Sequence, residues 1–199
     1  MISIGLTGSL GAGKSTVTRF FRKRGAAVLD ADRMVHAILA HDRGVIRKII
    51  KAFGPEILAG QRIDRRKLAG KVFGRPRELK KLTGIVHPAV IRDIRRRIRD
   101  IGLRRRRTIV VVDAALLIES GLHRYLDYCV VVNVSRDTQR NRIEKSGVIP
   151  WEEARTRIKS QMSPKEKLRY ADIVIDNNGG LAATQKQVHE IWRRLKAKV

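Results

Sequence analysis

Cysteine is almost absent. Cys129 stands alone in 199 residues, which excludes an intrachain disulfide framework and fits a reducing compartment. Aromatic residues make up only 5 %, so stacking platforms for nucleobases are few. No apolar run approaches the ~20 residues that span a bilayer. The best one, 109–118, is interrupted by Asp113. The opening residues Met1-Ile2-Ser3-Ile4-Gly5-Leu6 lack the basic segment and apolar stretch of a secretory leader, so none is expected. Low-complexity tracts, Gly/Ser linkers and solenoid-period repeats are missing as well. Acidic residues are scarce too: 19 Asp and Glu face 44 Lys and Arg, a formal net charge of +25. These absences leave a cytoplasmic protein with no membrane span and with anionic partners, nucleic acid being the first class to consider. The hydrophobic fraction of 43 % is ample for a buried core.

The excess charge is uneven. Residues 34–107 carry +16, against +4 before them and +5 after them. That middle segment has no strong strand signal, whereas both flanks do. Short apolar runs at 2–6, 26–29, 108–112, 129–134 and 172–175 predict buried strands. Helical spacing predicts helices over 15–24, 34–53, 65–73, 136–145, 151–162 and 181–196. Another is expected from Pro88, where Ile91, Ile94, Ile98 and Ile101 recur at helical spacing up to Gly102. Apolar strands alternating with helices indicate a parallel sheet covered on both faces, hence an α/β fold. The basic segment reads as a helical insertion at the carboxyl edge of that sheet, where open α/β folds bind ligands.

One motif carries direct chemistry. Gly8-Ser9-Leu10-Gly11-Ala12-Gly13-Lys14-Ser15 satisfies G-x-x-x-x-G-K-[ST] between a predicted strand and a predicted helix. Glycines let the backbone turn its N–H groups onto phosphate oxygens, and the helix adds its positive end. Lys14 can reach the β- and γ-phosphates, and the Ser15 hydroxyl can ligate Mg²⁺. Asp113 closes the run Ile109-Val110-Val111-Val112, the Walker B pattern that places a carboxylate near the metal. Asp30 and Asp32 follow the second strand. Either can serve an acceptor hydroxyl or hold Mg²⁺ through water, and either can equally cap a helix. Arg140 and Arg142 are candidates to neutralise a transferring phosphoryl group from a helical lid, while Arg136 reads as solvated surface. Cys129 reads as an inert buried thiol.

Together these residues resemble the bacterial dephospho-CoA kinase family over nearly the whole chain. The resemblance rests on Leu6-Thr7-Gly8 through Lys14-Ser15-Thr16, on Asp30-Ala31-Asp32 and on His87-Pro88. It continues in Asp113-Ala114-Ala115-Leu116-Leu117-Ile118-Glu119, Thr138-Gln139, Arg142 and Gln161, and closes in Ala171-Asp172-Ile173-Val174-Ile175-Asp176-Asn177-Asn178-Gly179. It implies ATP-dependent phosphorylation of the ribose 3′-hydroxyl of dephospho-CoA. ATP with Mg²⁺ would be co-substrate and metal, with no prosthetic group. It implies a P-loop kinase core like that of nucleoside-monophosphate kinases, with a five-stranded parallel sheet over 1–33, 108–135 and 167–199. A helical CoA-binding insertion would occupy 34–107 and a lid 136–166, in a monomer.

By the same resemblance Asp32 lies beside the acceptor hydroxyl. Asp30, His87, Leu117 and Glu119 belong to the acceptor side. Gly8, Gly11, Ala12, Gly13, Lys14, Ser15, Thr16, Asn177 and Asn178 belong to the nucleotide side, the last two near adenine. The chain departs from the family pattern at Ala115, often proline, and at Ser146-Gly147, often Arg-Asp; Arg140 or Lys145 would then stand in for that arginine. Two rival readings are another small-alcohol or nucleoside-monophosphate kinase of this fold, and a nucleic-acid-binding ATPase. Nucleic acid is not required by the first reading, although weak electrostatic binding is compatible with the basic surface.

Overall fold

The structure is a computed structural model that describes residues 1–72 and 74–199. The chain divides into two compact units: residues 1–30 with 97–199, and residues 31–96.

The first unit is built on five parallel strands: β1 (Ile2–Thr7), β2 (Ala27–Asp30), β5 (Ile109–Asp113), β6 (Tyr128–Asn133) and β7 (Ile173–Asp176). Their spatial order is β2-β5-β1-β6-β7, so the first strand in sequence lies in the centre. Every pairing is parallel, with Leu6 opposite Asp113 and Asp30 opposite the same aspartate on the other side. The central strands are buried on both faces, which explains their unbroken Val and Ile content. Helices cover the sheet: α1 (Lys14–Lys23), α6 (Arg136–Ser146), α7 (Trp151–Lys159), α8 (Pro164–Leu168) and α9 (Leu181–Lys196). Val17, Phe20 and Phe21 of α1 and Val188, Ile191 and Leu195 of α9 share one core with the strand residues Ile4, Leu6, Val111 and Val130. Fully burying each such side chain contributes about 1.5–3 kcal/mol.

The second unit contains α2 (Ala31–His41), α3 (Arg43–Phe53), a small antiparallel hairpin of β3 (Leu58–Ala59) with β4 (Arg62–Ile63), and α4 (Arg65–Val72). The Asp42 side chain accepts from Val45 N at 2.9 Å, so an N-cap divides the continuous helical pattern of 34–53 into two helices. The hairpin was not legible, because two-residue strands carry no periodicity. The expected helix over 65–73 is α4; residue 73 lies outside the described residues.

Helix α5 (Pro76–Arg104) corrects the expected start at Pro88. Pro88 sits inside the helix. Its missing N–H leaves only the Gly84 carbonyl without its usual partner, and Gly84 is exposed to water. Gly102 does not end the helix either: Arg105 N still bonds Ile101 O at 2.8 Å. The helix expected over 151–162 is α7, which ends at Lys159; a separate helix, α8, follows it, started by the capping box of Ser163 and Glu166. Among the described residues no helix is long and apolar enough to cross a membrane.

Candidate active site

The phosphate loop follows β1 at the carboxyl edge of the sheet. Gly13 has φ 88°, the left-handed region, and a Cβ there would overlap Asn177 Nδ2. Four of the loop carbonyls are engaged by protein donors. Ser9 O accepts from Ala12 N (3.0 Å), Leu10 O from Gln139 Nε2 (2.6 Å), Ala12 O from Asn177 Nδ2 (2.7 Å), and Gly13 O from Thr16 N (3.0 Å). By contrast, the N–H groups of Gly11, Gly13, Lys14 and Ser15 have no protein acceptor among the described residues. Unpaired backbone donors at the start of α1 are what an anionic phosphate chain requires.

Lys14 and Asp113 form an ion pair, and the second Asp113 oxygen accepts from Thr18 Oγ1 at 2.6 Å. Thr18 also donates to Lys14 O at 3.0 Å. Lys14, Thr18 and Asp113 therefore act as one unit across α1 and β5. Ser15 is exposed, and its hydroxyl makes no hydrogen bond among the described residues. A hydroxyl and a carboxylate are hard oxygen donors, the set Mg²⁺ takes when substrate phosphates and water supply its other ligands. Among the described residues no group of three or more His, Cys, Asp or Glu forms a metal cluster.

The two candidate arginines of α6 separate. Arg142 lies beside the loop: its Nη1 would be 3.6 Å from a Cβ on Gly13, and its Nη2 donates to Gly179 O at 3.5 Å. Arg140 is engaged by α6 and α7. It donates to Glu144 Oε1 at 2.8 Å, lies 5.4 Å from the Trp151 ring centre, and has its pKa raised by the Glu144 hydrogen bond.

Of the two asparagines expected near adenine, Asn177 is buried and spent. Its amide donates to Ala12 O and accepts from Thr184 Oγ1 at 2.6 Å. Those bonds make the Asn177 side chain a brace of the loop. Asn178 is exposed and accepts from Ser135 N at 2.7 Å.

Among the acceptor-side candidates, Asp30 ends β2 level with Asp113. Asp32 is exposed in the first turn of α2, and His87 is half-buried in α5. Leu117 is fully buried, and a Cβ on Gly5 would fall 2.5 Å from its Cδ2. Its side chain packs and presents no surface to a substrate. Glu119 is half-buried. Its Oε1 accepts from Met162 N at 2.9 Å and pairs with Lys167 Nζ at 3.1 Å, while Oε2 is buried without a partner.

Lys167 was not anticipated. It is fully buried and also donates to Ala115 O (2.7 Å) and Thr7 Oγ1 (3.4 Å). It thereby ties α8 to the end of β1 and to the segment after Asp113. No charge or apolar pattern marks it; only the Ser163–Glu166 capping box, by fixing where α8 starts, fixes which lysine faces inward. Gln139 carried the family resemblance without a role, and Thr18 escaped the sequence reading. Thr18, four residues after Lys14 on the inward face of α1, is the one helical spacing could have found. Cys129 is buried as expected, and burial with the nearby Asp172 carboxylate pushes its thiol up to about 11.

Residues 2–183 match the dephospho-CoA kinase family model. The dephospho-CoA kinase of Symbiobacterium thermophilum is 45 % identical over 96 % of this chain and 80 % of its own length. That of Syntrophus aciditrophicus is 42 % identical over 100 % of this chain and 85 % of its own. The solved dephospho-CoA kinase of Campylobacter jejuni superposes with a TM-score of 0.73 and 25 % identity over 98 % of both chains. A shikimate kinase from Acinetobacter baumannii shares the fold at a TM-score of 0.55 and 16 % identity, covering 100 % of this chain and 94 % of its own.

Proposed function

The chain belongs to the dephospho-CoA kinase family, and from that premise we propose how its residues share the work. It phosphorylates dephospho-CoA with ATP in coenzyme A synthesis. The acceptor in this reading is the ribose 3′-hydroxyl. The observation that carries the donor half is the phosphate loop, four of whose carbonyls are engaged by protein donors and whose N–H groups at Gly11, Gly13, Lys14 and Ser15 are left for phosphate oxygens.

Lys14 exchanges Asp113 for the β- and γ-phosphates when ATP binds, and Thr18 keeps the Asp113 carboxylate oriented during that exchange. Arg142, beside Gly13, offsets negative charge on the transferring phosphoryl group. Arg140 supports the lid through Glu144 and Trp151. The Ser15 hydroxyl and the Asp113 carboxylate would hold Mg²⁺, which would supply positive charge against the negative charge of the phosphate chain. The part of the basic insertion that lies in the second unit, residues 34–96, takes the pyrophosphate-bearing acceptor, with His87 and Asp30 on the acceptor side.

Asp32 accepts the proton of the acceptor hydroxyl. Its exposure in the first turn of α2 leaves the carboxylate accessible to such a partner. Asp32→Asn tests this. CoA formation should fall by about 10²–10⁴ in kcat with ATP affinity unchanged. Equal losses of ATP affinity and turnover would make Asp32 a helix cap instead.

A further inference from the structure

A parallel sheet has two unlike edges, and in the first unit the phosphate loop uses the carboxyl edge. The covering helices run back and finish at the amino edge. Three of them deliver cations there: Arg22, Lys23 and Arg24 at the end of α1, Arg104 to Arg107 at and beyond the end of α5, and Arg193, Arg194, Lys196 and Lys198 at and beyond the end of α9. The groups meet physically. Lys196 Nζ donates to Arg107 O at 2.8 Å, and Lys198 Nζ donates to the Tyr128 hydroxyl at the start of β6 at 2.9 Å.

All of these cations except the half-buried Arg24 are exposed. Among the described residues none has a carboxylate within ion-pair distance. The acids nearest in sequence do not compensate: Asp127 accepts from Ser3 N and Oγ, and Asp100 and Glu190 pair with none of the cations. Two arginines of α6 and α7 are paired by contrast, Arg140 with Glu144 and Arg157 with Glu153. The helix dipole accounts for one or two cations in a last turn, but Arg105, Arg106 and Arg107 lie past the helix. Eleven unneutralised cations on the edge away from the phosphate loop are more than two small anionic substrates engage.

The same face holds a cleft of about 450 Å³ lined by Met1, Arg99, Gly102, Leu103 and Arg106. Leu103 is 82 % exposed, and Met1 Sδ lies against Gly102, where a Cβ would come within 2.8 Å. The cleft therefore has apolar walls between two guanidinium groups. A flat heterocycle fits that chemistry, because guanidinium planes and apolar side chains stack on any base face. An anionic membrane fits it less well: the apolar stripe of α9 (Val188, Ile191, Leu195) and Ile98 of α5 are buried in the protein, which leaves no amphipathic face to enter lipid.

We propose that the amino edge of the sheet, centred on Arg104 to Arg107 and the Met1–Leu103 cleft, docks single-stranded nucleic acid: phosphates on the arginines, one unpaired base in the cleft. This goes beyond phosphorylation of dephospho-CoA and does not use the catalytic residues.

Fluorescence anisotropy with a labelled uridine oligoribonucleotide of about 20 residues tests it. With about six phosphates engaged, log affinity should fall with log salt at a slope of about −4, roughly 300-fold between about 50 and 200 mM. Replacing the four arginines at 104–107 by glutamine should bring the slope to about −1 and weaken low-salt binding more than about tenfold, with CoA formation unchanged. Leu103→Ala should weaken binding while keeping the slope. Should the quadruple variant not fold, R193Q/R194Q repeats the test with a slope reduced by about 1.4. Wild-type binding by the folded variants overturns the proposal. So does release of the RNA in step with saturation by ATP and dephospho-CoA, which would put it in the active site. Sedimentation with phosphatidylserine vesicles without RNA binding overturns it in favour of a membrane.

Discussion

Replacing Lys167 by methionine keeps its length and removes its charge. The consequences can be worked from its partners. Glu119 Oε1 would lose the ammonium and keep only Met162 N, while Oε2 is already buried without a donor. Ala115 O would keep the Thr7 hydroxyl at 3.1 Å. The dominant cost is thus a carboxylate left uncompensated in the interior, about 3–5 kcal/mol. For a chain of this length that is a drop of about 10 °C in Tm.

Removing the carboxylate as well should recover most of the loss. In K167M/E119L the remaining defect is the orphaned Met162 N–H, about 1–2 kcal/mol. Urea unfolding of the wild type and three variants (K167M, E119L and the pair) measures this. A double variant as unstable as K167M would refute the view that the pair is held by mutual compensation.

Gly13→Ala should be worse than a simple glycine replacement. It strains a φ of 88° by about 1–2 kcal/mol and displaces Asn177 from Ala12 O, so both Tm and ATP affinity should fall. Asn177→Ala should weaken ATP binding with little change in the kinetics of the acceptor, read as a rise in KM for ATP alone. Arg142→Ala should lower kcat by about 10²–10³, whereas Arg140→Ala should change it far less, a contrast that steady-state CoA formation resolves. Cys129, with its thiol near 11, carries about one thiolate in a thousand at pH 8, so iodoacetamide should label it only after unfolding.

The five strands of the parallel sheet were legible to within a residue, because burial writes itself as apolar, β-branched runs such as Ile109 to Val112. Helix boundaries were less so. Pro88 read as a start because proline favours first turns, yet an exposed Gly84 carbonyl makes its interior position tolerable. The site divides the same way. Lys14, Ser15 and Asp113 follow from local motif and strand end, since their roles are set by the backbone they sit on. Choosing Arg142 over Arg140 does not: both lie in α6 two residues apart, and only the approach to Gly13 distinguishes them. Lys167, Gln139 and Asn177 act over separations of 160, 129 and 165 residues, beyond any periodicity.

Those separations bear on what a phosphate loop is. A loop that presents N–H groups inward leaves its carbonyls to be satisfied elsewhere, or they compete for the same space with the wrong sign. Here two of those carbonyls are held by the loop and its helix, through Ala12 N and Thr16 N. The other two are held by side chains from α6 and from the segment after β7, Gln139 and Asn177. Asn177 is itself fixed by Thr184 of α9, and Asn178 beside it reaches back to Ser135 N at the start of α6. Helix α6 and the end of the last strand are therefore part of the same hydrogen-bonded frame that shapes the loop. Nucleotide affinity in this chain is a property of that frame as much as of Gly8 to Ser15. Replacing Gln139 by alanine, which frees Leu10 O, should therefore raise KM for ATP although Gln139 lies outside the loop motif.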